Sequence, residues 1–460
     1  MLFTNFKKNN ITLIFMIKKN YKFSLSIFFI LIVYSTVKSE TLSEVLKDAY
    51  NFYPDVTKSL YELETKQLEL KKSKTDFLPS VDLTLSQGRN ITKSLPDTNM
   101  NNFNTLNPSS VDLKVSQPLG STKFLNLKEA NNNFEIGKYE NKSTVQNILY
   151  RASIAYYNLL KIRFLLDVAI KNEKNLEQKL NATEKRFEFR DVTKTDVFQA
   201  KARLASAKSK RIEEENNLEI AISEFKSVVG REPNLNWYTS NKDKITSSNP
   251  IDWAKFGELP KLPFSIKESK KLALKNNPDI VTLKYKLKNS EINITKDKLE
   301  FMPELSISAN YGKDLESTRT INRKDSYEIT AEMSIPIFNK GHNFYDVEKS
   351  KNSSMAVLEQ LESLKIDTIH EVNSAWKKIL SLKSSIESLK VSVKSNEVAL
   401  DGVTKEAGVG TRTTLNILDA EKELTQSEAD LINARFELIT ASYDLLKTCG
   451  LLSLSYLITN

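Results

Sequence analysis

The chain has 460 residues, a formal charge of +9, one cysteine and two histidines. Six of its 67 basic side chains (Lys7, Lys8, Lys18, Lys19, Lys22 and Lys38) fall in the first 39 residues, which carry no acid; the remainder holds 61 basic against 58 acidic groups. So small an excess excludes the cationic surface that nucleic-acid binding requires, and a lone Cys449 excludes an intrachain disulfide.

Residues 1–39 have the make-up of a secretory signal. Lys18, Lys19 and Lys22 precede the apolar run "FSLSIFFILIVYSTV", and "VKS" supplies small or apolar residues for cleavage after Ser39. Met1 and Met16 both stand as candidate starts, and an uncleaved membrane anchor is the rival reading of the run. No later segment offers the roughly 18 consecutive apolar residues of a membrane-spanning helix. Glu40, not a cysteine, directly follows the cleavage site, so an N-terminal lipid is not expected.

The rest of the chain reads as a duplication. "TLSEVLKDAYNFYPDV" from Thr41 answers "SIKESKKLALKNNPDI" from Ser265, pairing Pro54 with Pro278; "FLPSVDLTLS" answers "FMPELSISAN" at the same offset of 224, pairing Pro79 with Pro303. "RDVTKTDVFQA" (Arg190 to Ala200) answers "GTRTTLNILDA" (Gly410 to Ala420) at offset 220. The repeats run from 40 to 230 and from 265 to 452. A Pro- and Trp-containing linker at 231–264 separates them, and 453–460 forms a short tail.

Proline sorts each repeat into elements. All 12 prolines lie outside 119–232 and 337–460, and those two stretches predict pairs of long helices, since proline is expelled from helix interiors. A helix from about 121 to 187 would reach roughly 100 Å at 1.5 Å per residue, which suits a tube or a coiled coil. Leu424, Leu431, Leu438 and Leu445 recur every seven residues, with Ser427, Ala434 and Ala441 beside them, as in a supercoiled seam; one face of an ordinary bundle is the plainer alternative. Each helical pair breaks once, at "FRDVTKTD" and at "AGVGTRTT".

Between Pro79 and Pro118, and between Pro303 and Pro336, the period changes to two. Val81, Leu83 and Leu85, then Val111, Leu113 and Val115, then Leu305, Ile307, Ala309 and Tyr311, then Tyr327, Ile329, Ala331 and Met333 each alternate with polar residues. Hairpins at about 80–118 and 304–336 are expected, each strand having one apolar and one polar face. Strands of roughly 10 residues in an exported chain suit a transmembrane barrel. Four strands cannot close alone, and an open edge cannot sit in lipid, so several copies must share the barrel. Soluble hairpins are the alternative.

The break at Gly408 to Ala420 predicts a hairpin tip. Gly408 and Gly410 allow positive φ, Thr413 is placed to cap the next helix with Asn416 three residues on, and Asp419 suits the dipole of its second turn. Asn416 and Asp419, three residues apart, share one side of that helix.

His342 and His370 lie 28 residues apart with no ligand motif, and no phosphate-cradling glycine loop occurs, so neither an enzyme nor a cofactor or metal site is expected.

Taken together, the twice-repeated plan of helix, Pro, helix, Pro-led hairpin and long helical hairpin resembles the TolC family of outer-membrane efflux and secretion channels. "GVGTRTTLNILDAEKELTQSEADLINARFELI" is close to that family's most recognisable segment, and the resemblance runs from about Glu40 to Leu452. It implies an α+β membrane protein: a homotrimer whose long coiled-coil helices form a periplasmic tunnel and whose protomers each give four strands to one 12-stranded β-barrel in outer-membrane lipid. It also implies a passive duct working with a periplasmic adaptor and an inner-membrane transporter of ABC, RND or MFS type. A constriction at the tunnel's inner end is implied by Arg412, Asn416 and Asp419, together with Thr195 and Asp196 on the first hairpin. Asn416 replaces an acidic ring residue and Ala407 a tyrosine link partner, which implies a looser latch of lower charge. A periplasmic adaptor is the nearest rival, but it would carry one helical hairpin rather than two.

Overall fold

The computed structural model describes residues 41–94, 102–234, 259–318 and 322–455. The signal segment, the C-terminal tail from 456 and most of the linker lie outside the described residues. Two series of elements follow one plan. The first is α1 (Leu42–Phe52), α2 (Pro54–Thr75), β1 (Ser80–Gln87), β2 (Asn90–Ser94), β3 (Asn102–Leu106), β4 (Ser109–Pro118), α3 (Lys123–Glu188) and α4 (Lys194–Val229). The second is α5 (Ile266–Asn276), α6 (Pro278–Leu299), β5 (Glu304–Leu315), β6 (Arg323–Ser334), α7 (His342–Gly408) and α8 (Thr414–Thr448).

Local chemistry sets the boundaries. Thr41 caps α1 and Ser265 caps α5 by accepting from the amides of Glu44 and Glu268. Pro54 and Pro278 stand first in α2 and α6, where a missing N–H costs nothing and the fixed φ favours the helix. At the far ends of α4 and α8, Gly230 (φ 85°) and Gly450 (φ 69°) reverse the chain in the left-handed region. A Cβ there would fall 2.2 Å from the Phe52 ring and 2.2 Å from the Asn276 carbonyl oxygen. The glycines let the chain turn directly against the ends of α1 and α5.

The long helices, 66 residues in α3 and 67 in α7, run about 100 Å. Each is covered along its length by two shorter helices: α2 and α4 on α3, α6 and α8 on α7. From Leu431 through Leu438 to Leu445 the leucine row of α8 is buried with Ala434 and Ala441 against Val372, Ile379 and Ile386 of α7, themselves seven apart, so the seam is two-sided. A second core joins α1, α3, α4 and α8 through Phe164, Phe225, Ile432, Ile439 and the Tyr157–Tyr443 ring pair at 5.8 Å. Laterally the long hairpins lie in the order α4, α3, α8, α7.

The four long strands form one antiparallel sheet in the order β1-β4-β5-β6. The first hairpin differs from its expected two strands: a separate ladder, β2 with β3, continues it beyond Gly88 and Pro108. Period-two alternation is lost there in "NITKS" and "NFNTL", so nothing in the hydrophobic pattern marked it.

Candidate functional site

Register turns the alternation of each strand into two uniform faces. On one, Val81, Val115, Ala309 and Ile329 stand side by side, as do Leu83, Leu113, Tyr311 and Tyr327. Ile307 pairs with Ala331 and Leu305 with Met333 below them. The opposite face carries the rows Ser80, Ser116, Ser308, Thr330 and Asp82, Lys114, Asn310, Glu328. Cross-strand hydroxyl pairs tie it together, Ser80 to Ser116 and Ser86 to Ser110, both at 2.8 Å.

The apolar face is exposed, Ile329 by 83% and Leu83 by 63%. An uncovered apolar sheet is a liability in water and the normal state in lipid. Aromatic rings bound it. Tyr311 and Tyr327 pack at 5.0 Å near its upper limit, beyond which Lys313 and Asp325 pair. At the junction with the helices, Phe301 meets Phe344 and Phe77 meets Phe124, with Phe338 and Tyr345 exposed beside them. Tyrosine and phenylalanine at both margins of an apolar band match the aromatic girdles by which lipid-facing sheets are flanked. Both edge strands, β1 and β6, have one neighbour each.

The tips lie at the other end of the long helices. In the first, Arg190 adopts φ 61°, and Thr193 accepts from the Asp196 amide while Asp196 Oδ2 accepts from the Thr193 amide at 2.8 Å. In the second, Gly410 adopts φ 83°, and Asn416 Oδ1 accepts from the Thr413 amide at 3.1 Å and from its hydroxyl at 2.8 Å. Both are reciprocal capping boxes. Gly408 is the last residue of α7 and is not among the positive-φ residues, so only Gly410 needs its glycine for the reversal.

Of the residues singled out in sequence, Asp196 and Asn416 are thus engaged as helix caps, with Thr195 exposed beside the first. Arg412 donates to Glu406 of its own tip at 2.8 Å rather than to the first hairpin. Asp419 faces α4, where Arg203 donates to it at 2.8 Å. Arg203 carries no motif and its counterpart at offset 220 is Glu423, so no sequence signal pointed to it. Underneath, Leu418 packs into a cluster of Leu176, Leu180, Val197, Ala200 and Leu204. Among the described residues no cluster of potential metal ligands occurs, and no helix is long and apolar enough to cross a membrane.

A family model described as outer membrane efflux protein matches residues 45–231 and 270–451. The chain belongs to that family. Outer membrane efflux protein BepC of Brucella suis is 24% identical over 422 residues, covering 91% of this chain and 87% of BepC. Outer membrane protein TolC of Escherichia coli is 23% identical over 435 residues, covering 91% and 84%. The CmeC outer membrane channel of Campylobacter jejuni shares the fold, with a TM-score of 0.76 at 16% identity over 92% of this chain and 89% of CmeC. This outer membrane efflux protein is therefore a channel component of the outer membrane, in a family of channels rather than enzymes.

Proposed function

We propose that three copies of this outer membrane efflux protein close one 12-stranded barrel, four strands from each, over a helical tunnel. The observation that carries this is the four-stranded sheet with an exposed apolar face, a polar face and two open edges: such edges cannot remain unpaired in lipid. The helices support the same arrangement. The flank of α4 exposes Phe198, Ile212 and Ile220, and the opposite flank of α7 exposes Leu380, Val391 and Val398. Two different apolar flanks meeting head to tail make a heterologous contact that closes into a ring. The matching element order and the glycine turns at Gly230 and Gly450 support origin by duplication.

In this reading the polar sheet face lines a passive exit duct for molecules delivered by an inner-membrane transporter through a periplasmic adaptor. Thr195, Asp196, Arg412, Asn416 and Asp419 lie at the constricted end, where a capped and rigid tip holds the aperture. The adaptor reading itself lacks a use for a lipid-facing sheet. Reconstitution of purified protein from the outer-membrane fraction into a planar bilayer tests the proposal. Discrete single-channel steps are expected; a protein that extracts in salt without detergent and gives no steps would refute it.

A further inference from the structure

The Arg203–Asp419 contact joins the first long hairpin to the second near their tips. Its geometry is set from beneath: Leu418 and Leu204, the immediate neighbours of the two residues, are buried in the same apolar cluster. The side chains themselves are half-exposed, 38% for Arg203 and 53% for Asp419. The other tip charges with partners are matched within a single hairpin, Arg186 with Asp191, Lys201 with Glu184, and Arg412 with Glu406. Arg203 alone among these reaches across to the carboxylate that would form an acidic ring on a threefold axis.

We propose that Arg203 sets the ion preference of the constriction by neutralising Asp419, so that the ring carries three matched pairs instead of three bare carboxylates. A bare acidic ring concentrates cations at the aperture, whereas an alternating one does not. Asn416 adds no charge to offset this, being neutral and engaged as a cap. The inference rests on the reading of the tips as a constriction.

Calcium titrated against single-channel current in a planar bilayer tests it, comparing the unaltered protein with Arg203→Gln, Asp419→Asn and the double variant. Block of Arg203→Gln is expected at about tenfold lower calcium than block of the unaltered channel, the lower end of the enrichment a single-sign charged cleft produces. The double variant should return to the unaltered value. An unaltered channel already blocked through Asp419, or an Arg203→Gln channel with no shift, would overturn the proposal. If no form conducts, the channel reading itself falls, and the pair is decided separately by zero-length carbodiimide coupling in the Arg203→Lys protein. Mass spectrometry should then find position 203 joined to Asp419, with Lys378–Glu437, 3.4 Å apart, as the internal control. Coupling of the control alone would overturn the pairing.

Discussion

Ile307 and Ser306 are neighbours in β5 on opposite faces of the sheet, and replacing each in turn by arginine separates a lipid-facing sheet from a soluble one. Ile307 lies four residues, about 13 Å along the strand, below the Tyr311–Tyr327 pair and six above the Phe301–Phe344 pair. It therefore stands near the middle of the apolar band. An arginine on the lipid face at that depth costs about 2–4 kcal/mol. Three copies make about 6–12 kcal/mol, comparable with the whole net stability of a typical domain. Ser306 pairs with Glu332 on the polar face, where a new guanidinium meets water and a carboxylate. Ile307→Arg should thus abolish the trimer that the proposal expects on unheated, mild-detergent gels of the outer-membrane fraction, while Ser306→Arg should assemble normally. Equal tolerance of both, or equal loss, would refute the two-faced assignment.

Three further outcomes follow from the periplasmic part. Thr193→Ala and Thr413→Ala should each cost about 0.5–2 kcal/mol through loss of a capping box, read as faster limited proteolysis at the tips, and Asn416→Asp should preserve resistance because the acceptor oxygen remains. Gly230→Ala and Gly450→Ala should each cost more than about 1 kcal/mol, since both need positive φ and both meet atoms 2.2 Å from the added carbon; a thermal melt unchanged by either would contradict the close approach. Burial pushes the Cys449 thiol up to about 12, so it stays protonated below that pH and should resist thiol reagents at pH 8 until the protein is unfolded.

Much of this was legible because proline and period are local signals. The absence of proline from 119–232 and 337–460 foretold α3 with α4 and α7 with α8. Alternation over Leu305 to Tyr311 foretold which face of β5 would be apolar. The cap of α8 followed from Thr413 with Asn416 three residues on, whereas the matching box of Thr193 and Asp196 on α4 was not read from the sequence. What the residues alone did not disclose was pairwise geometry between distant segments. The partner of the α8 leucines, the row Val372, Ile379 and Ile386, has the same spacing, but its mixed residue types make the repeat far less conspicuous than four leucines. Arg203 looked like any solvated helix cation until the hairpins were laid side by side. Arg412 found Glu406 because the reversal at Gly410 folds the chain back on its own last turn. The β2–β3 extension carries polar residues on both faces, so no periodicity announced it.

Closure of the sheet into a shared barrel is the claim on which the rest depends, and it requires β1 of one copy to pair with β6 of the next. Cysteines placed in turn at Val81, Leu83 and Leu85 on β1, each combined with Tyr327→Cys on β6, measure this in intact outer membranes under mild oxidation. For the pairs in register, the account predicts a cross-linked ladder on denaturing gels that ends at three protomers. Monomers at every position, or a ladder that runs past three, would contradict it.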